Sequence, residues 1–288
     1  MPEGRLAVNK TYKLYVAGAF PRSESGRSYP VHAADGALLA NAALASRKDL
    51  RDAVVAARAA QPKWARTTAY NRGQVLYRIA EMLEERAAQF AEQVARSEGL
   101  AGAEAGRLVA ASVDRLVYYA GWSDKLAQIA GAANPVAGPY FNFSLPEPTG
   151  VIGVVAPPGS SLLGLVSVLA PVIVTGNAAV VVASEERPVP AVTFAEVLAT
   201  SDVPGGVVNL LTGRLAELAP VLAAHRDVDG LDLCGISEQD AAALERAAAD
   251  NVKRVLRREV APDWERRPSP RRMLHFVETK TVWHPIGA

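Results

Sequence analysis

A doubly wound α/β architecture is the fold class that this sequence predicts, and three observations predict it. Four short runs, VIGVV (151–155), AAVVVA (178–183), VVNLL (207–211) and GLDLC (230–234), are apolar almost throughout, as strands covered on both faces are. They alternate with helical segments that begin near Ser161, Val189, Leu215 and Glu238, which is the rhythm of a parallel sheet with crossover helices. Long amphipathic helices precede them and supply apolar stripes to pack on that sheet.

Taken in order, the chain starts with MPEGRLAVNKTYK, which carries charges but no apolar core of the length a secretory signal needs, so export is not expected. YKLYVAGAFPR and GRSYPVHAADGALLANAALAS read as short strands around an Asp35-Gly36 turn. Ser46 followed by Asp49 is a capping-box start, and Leu50, Val54 and Ala57 form an inward stripe expected to stop near Pro62. Leu76, Ile79, Leu83, Ala87, Phe90 and Val94 keep the 3.6-residue period of one helix from about Asn71 to Ser97, and a third helix is expected from about Ala103 to Ile129. GAANPVAGPYFNFSLPEPTG suits an extended arm or hairpin. Beyond the four strands, NVKRVLRREV reads as a basic helix, DWERRPSPRR as a polar linker, and HFVETKTVW as a half-exposed strand with Val277, Thr279, Thr281 and Trp283 on one side.

Composition narrows the function classes. Of the 288 residues, 31 are basic and 30 acidic, so no global field recruits nucleic acid or an anionic membrane. Between Glu147 and Glu185 there is no charge. Pro157, Pro158, Gly159, Pro171 and Gly176 nevertheless confine the helix there to about Ser160–Thr175, short of the ~20 residues a bilayer requires. Cys234 is the single cysteine, which excludes an internal disulfide and a thiolate metal cluster and fits a reducing compartment, with cytoplasm expected. His32, His225, His275 and His284 are scattered, with no metal-ligand spacing. The arginines and lysines of 253–272 are interleaved with Glu259, Asp263 and Glu265 and read as a solvated face, and the Asp227 to Asp232 carboxylates as a solvated turn.

In doubly wound sheets ligands bind beyond the strand carboxyl ends. The loops there are APPGSS (156–161), ASEERP (183–188), LTGRL (211–215) and CGISE (234–238). Helix amino termini offer N–H groups to phosphate, Gly159, Gly213 and Gly235 permit close backbone approach, and Glu185 is placed to accept from ribose hydroxyls. Neither G-x-G-x-x-G nor G-x-x-x-x-G-K-[ST] is present. Nucleotide binding and ordinary turn chemistry both remain open on these residues alone.

Several segments, in family order over nearly the whole chain, resemble the aldehyde dehydrogenase superfamily: KLYVAGAFPRSESGRSYPV, KWARTTAYNRGQVLYRIAEMLEER, DRLVYYAGWSDKLAQIAG, EPTGVIGVVAPPGSSLLGLVSVLAPVIVTGNAAVVVASEERP, PGGVVNLLTG, HRDVDGLDLCG and ETKTVWHPIG. The resemblance implies a Rossmann-like NAD(P)-binding-type domain over 151–260, with N-terminal strands and helices (1–123) packed on it. It also implies an oligomerisation arm (124–150), a linker (261–272) and a C-terminal oligomerisation strand (273–288). Cofactor contacts would fall on Val155, Ala156, Pro157, Pro158, Glu185, Gly213 and Gly235, with NAD or NADP as the possible ligand.

The chain departs from the family pattern at the chemistry. Where the family usually has Pro-Trp-Asn-Phe-Pro, Pro157, Pro158, Gly159, Ser160 and Ser161 stand, so Gly159 replaces the asparagine that stabilises the oxyanion. Losing one such donor typically costs ~10²- to 10³-fold in turnover. Val182 replaces the lysine that reaches the ribose, and Ile236 replaces a serine near the pyrophosphate. After Gly235 the family continues through a segment carrying the general base into a domain carrying the nucleophilic cysteine. Here about 40 residues lead to the last strand, against the ~100 or more that a domain needs. No catalytic residue and no metal ligand is assigned.

Three functions follow as expectations: a non-catalytic subunit that assembles with itself or with a full-length aldehyde dehydrogenase, an NAD(P)-dependent aldehyde dehydrogenase active only with a partner, or a dinucleotide-binding sensor without turnover. No nucleic-acid or membrane partner is expected.

Overall fold

The computed structural model describes residues 10–259 and 262–287. The reading of the first nine residues, and the domain edges at 260 and 261, lie outside them. The N-terminal strands β1 (Thr11–Tyr12), β2 (Ser28–His32) and β3 (Leu38–Ala43) form a small sheet in the order β1-β3-β2. Helix α1 (Arg47–Arg66) opens on the predicted capping box, Ser46 accepting from the Lys48 and Asp49 amides and Asp49 accepting from that of Ser46. It runs past Pro62, because the Trp64 indole donates to the Ile173 carbonyl (2.8 Å) and anchors the last turn despite the lost amide.

The single helix expected from Asn71 to Ser97 is two, α2 (Ala69–Glu85) and α3 (Ala87–Glu98), broken at Arg86. Leu83, Phe90 and Val94 still face one core, so the apolar period reads through the break. The expected third helix likewise divides into α4 (Gly102–Ala120) and α5 (Leu126–Ala130). The arm is a hairpin of β4 (Ala132–Asn134) and β5 (Tyr140–Pro148).

The doubly wound unit then follows as β6 (Val151–Val155), α6 (Leu163–Val174), β7 (Ala178–Val182), α7 (Val189–Ala199), β8 (Val208–Leu211), α8 (Leu215–Ala224), β9 (Gly230–Leu233) and α9 (Glu238–Ala249). A fifth strand, β10 (Arg254–Arg257), closes it. The sheet is parallel throughout, in the order β10-β9-β6-β7-β8. Alternate residues serve two cores. Ile152, Val154, Ala179 and Val181 face α6 and α7, while Val151, Val155, Val180 and Val182 face α1 and α8.

β10 corrects the expectation of a basic helix at 251–260. Val255 and Leu256 pack on opposite faces of the sheet, whereas Arg254 and Arg257 reach outward to Glu278 and Glu245. A short V-L pair between arginines fits either period, and pairing with β9 decides it. After it come α10 (Arg271–His275) and β11 (Val277–Pro285). β11 runs antiparallel to β5 in unbroken register from Val277 opposite Pro148 to Pro285 opposite Tyr140. It is less buried than expected, with Thr279, Thr281 and Trp283 all exposed. Among the described residues no helix is long and apolar enough to cross a membrane.

Candidate functional site

Strand order reverses between β6 and β9, so the switch point of the sheet, where ligands of such folds bind, lies over Val155 and Leu233. The loops that follow these strands pack directly on one another. The Gly235 amide donates to the Val155 carbonyl (3.0 Å), and the Ala156 amide donates to that of Val182 (2.9 Å). A Cβ on Gly235 would lie 2.1 Å from the Ala156 carbonyl oxygen, so contact between the loops already demands glycine there. Gly213 has φ +157°, and a Cβ on it would come within 3.2 Å of the Ala45 amide nitrogen.

Pro157 is buried, whereas Pro158 and Gly159 are exposed and tied to the next loop. Ser184 Oγ donates to the Pro158 carbonyl (3.4 Å) and Arg187 to that of Gly159 (3.1 Å).

Three helix amino termini at this edge, those of α6, α8 and α9, are met by side chains of the chain itself. At the entry to α6 the Ser161 amide and hydroxyl both donate to Glu98 Oε1 (2.7 and 2.6 Å), and the Gly164 amide donates to Ser160 Oγ (2.9 Å). Glu98 is the last residue of α3, where the helix dipole opposes a negative charge, so its place is explained by the amino terminus of α6 in front of it. At α8 the Leu215 amide donates to Glu185 Oε2 (2.9 Å), and Arg214 donates to Oε1 (2.5 Å) and is held further toward its charged form by it. At α9 Ser237 accepts from the Asp240 amide (3.2 Å). These are the donors that would otherwise meet a phosphate.

A cavity of about 450 Å³ lies beside Glu185, between α8 and α9, with Leu215, Ala219, Ile236 and Leu244 on its walls. Its size and apolar lining suit a flat heterocycle. Val182 and Ile236 are themselves buried in the core on this side. Cys234 is buried, and desolvation pushes its thiol up to about 12.

Of the carboxylates that the sequence places in a solvated turn, Asp232 is interior, whereas Asp229 stays partly exposed but is bonded. Asp232 is fully buried and pairs with Arg272, while its other oxygen accepts from the Cys234 amide (3.1 Å). Asp229 accepts from Arg58 (2.6 Å) and from the Val151 amide (2.7 Å). The expected linker is a strap. Arg115 of α4, buried, donates to the Trp264 and Arg266 carbonyls (2.6 and 3.0 Å) and to Ser167 Oγ (2.8 Å). The signals were present: an aspartate inside the buried run GLDLC requires a cationic partner. Arg115 stands among the apolar positions of α4, and only an acceptor from elsewhere explains it there.

The family model described as "Aldehyde dehydrogenase family" matches residues 21–258. The chain belongs to the aldehyde dehydrogenase family. Mouse cytosolic 10-formyltetrahydrofolate dehydrogenase is 32% identical over 263 residues, which cover 87% of this chain and 28% of that protein. Mouse retinal dehydrogenase 2 is 32% identical over 259 residues, covering 88% of this chain and 49% of that one. The NAD⁺ complex of aldehyde dehydrogenase from Bacillus cereus superposes with a TM-score of 0.82 at 27% identity, over 86% of this chain and 50% of that one. The chain therefore spans half or less of the length of these relatives.

Gly159, expected at the position of the oxyanion asparagine, has open space around its α-carbon. Glu98 and Glu185 place carboxylate oxygens on the amides of Ser161 and Leu215, so these two amides are not free donors for a phosphate.

Proposed function

We propose that this chain is a non-catalytic aldehyde-dehydrogenase-family subunit that assembles through its β4-β5-β11 sheet, with itself or with a full-length aldehyde dehydrogenase. The observation that carries the reading is the contrast between a complete arm and an empty chemical inventory. The single cysteine is buried with its thiol pushed up to about 12, glycine stands at the oxyanion position, and the amino termini of α6 and α8 already meet carboxylates. The arm sheet meanwhile presents Phe141, Leu145 and Trp283 to solvent, 51%, 42% and 58% exposed. Apolar side chains of this size on a sheet with open edges favour a partner that covers them.

The test is size-exclusion chromatography with light scattering, combined with co-purification alongside a full-length aldehyde dehydrogenase. A dimer or larger species that reverts to monomer in Trp283→Arg supports the reading. A clean monomer that captures no dehydrogenase overturns it. An assay with NAD, NADP and short aldehydes accompanies it, and production of NADH by the isolated chain overturns the non-catalytic half.

The α8–α9 cleft favours a second reading, a nucleotide-binding subunit without turnover. Calorimetry with ADP and NAD decides between them: heat that disappears in Ile236→Arg supports nucleotide binding, and its absence leaves the assembly role alone.

A further inference from the structure

The strap, residues 262–270, borders a second, half-open cavity of about 330 Å³ on the sheet face opposite the α8–α9 cleft. Arg115 and Tyr119 of α4 and Ser167 of α6 lie on its inner side; Arg266 and Arg267 line it from the strap and Arg271 from the start of α10. Two of the guanidinium groups at this cavity serve the fold. Arg115 holds the Trp264 and Arg266 carbonyls, and Arg272 pairs with Asp232. The others are not so engaged. Arg271 has Glu259 at 3.6 Å, and among the described residues Arg266 and Arg267 have no carboxylate within 4.0 Å. Five guanidinium groups thus face three carboxylates, those of Asp232, Glu259 and Asp263, and positive charge is left in excess.

Excess positive charge gathered in a concave site concentrates anions. Guanidinium forks match paired phosphate oxygens better than any other side chain does. We propose that this cavity binds a small phosphate-bearing anion, gripped by Arg266, Arg267 and Arg271 and pinning the strap against α4. Size argues for a small ligand, because the cavity holds only about 330 Å³ and is not drawn out as a stripe. Glu259, Asp263 and Glu265 interrupt the basic run, which disfavours a nucleic-acid backbone. The site is separate from the α8–α9 cleft and does not depend on whether a nucleotide binds there.

Titration calorimetry of the full chain with inorganic pyrophosphate tests it. One saturable site is expected, weakening as salt rises. Affinity is expected to fall about tenfold for each of Arg266→Gln and Arg267→Gln, the loss that goes with one charge-assisted hydrogen bond. Both positions are exposed, so melting temperatures stay near that of the parent. Glu185→Gln, in the other cleft, keeps full affinity. The proposal is overturned by no heat, by heat undiminished in the Arg266→Gln/Arg267→Gln variant, or by affinity lost in Glu185→Gln. Citrate binding as tightly as pyrophosphate overturns the phosphate class, and a single-stranded oligonucleotide binding more tightly overturns the small-ligand reading.

Discussion

Replacing Arg272 with methionine isolates the most buried charge in the molecule. Its partner Asp232 has no accessible side-chain surface and sits in the middle strand pair of the sheet, so it cannot turn to water when the guanidinium goes. One neutral hydrogen bond, from the Cys234 amide, would remain to that carboxylate. Breaking a buried pair from one side typically costs about 3–5 kcal/mol, a large share of the roughly 5–15 kcal/mol that holds a domain together. Asp232→Asn is expected to cost less, since Arg272 is carried by the strap and α10 and can swing outward. The double variant removes both charges and is expected to recover about 2 kcal/mol or more relative to the sum of the single losses, as coupled neighbours do. Urea unfolding followed by circular dichroism measures all four proteins at neutral pH. A loss below about 1 kcal/mol in Arg272→Met, within the range of ordinary substitutions, or strict additivity in the cycle, would refute the account of Asp232 as a buried ion that α10 neutralises.

Further outcomes are expected at four positions, Cys234, Glu98, Gly235 and Gly159. Cys234, moved from an ordinary thiol at 9.0 to about 12 by burial, has its thiolate fraction at pH 8 reduced about a thousandfold. Iodoacetamide should therefore leave it unlabelled in the native state and label it on unfolding. Because the folded pKa is the higher one, this group's contribution is intact below pH 9 and is lost as pH rises toward 12, visible as a falling melting temperature. Glu98→Ala strips the oxygen that meets the Ser161 amide and hydroxyl, and should cost about 1–2 kcal/mol as a lost cap; an unchanged unfolding midpoint would contradict it. Gly235→Ala forces a methyl against the Ala156 carbonyl and should cost about 1–3 kcal/mol. Gly159→Asn enters open space and should stay within about 0.5 kcal/mol, with no gain in dehydrogenase activity.

The parallel sheet was legible because its strands carry no competing signal. VIGVV and AAVVV are covered on both sides, and such runs leave little choice of structure. β10 was not, because four residues flanked by arginines satisfy helix and strand patterns alike until β9 supplies hydrogen bonds. The division at Arg86 was hidden for a related reason, since the core stripe continues in phase across it. At the switch point the loops could be located from the sequence but not their internal caps. Glu98 reaches Ser161 across 63 positions and Arg187 reaches Gly159 across 28, and no local pattern encodes such partners. The strap was misread because the carbonyls that Arg115 holds have no signature in side-chain sequence.

The register of β11 on β5 has a consequence for how the protein is made. Ser144 and Thr281, which share a hydrogen bond across the two strands, are 137 positions apart. At a translation rate of roughly 5–20 residues per second, the earlier strand waits about 7 to 27 seconds for its neighbour. During that interval Phe141 and Leu145 sit on an unfilled hydrogen-bonding edge while the parallel sheet behind them is already being synthesised. Nascent chains are thus most prone to wrongful pairing late in synthesis, and a chaperone that binds extended apolar segments would find its target there.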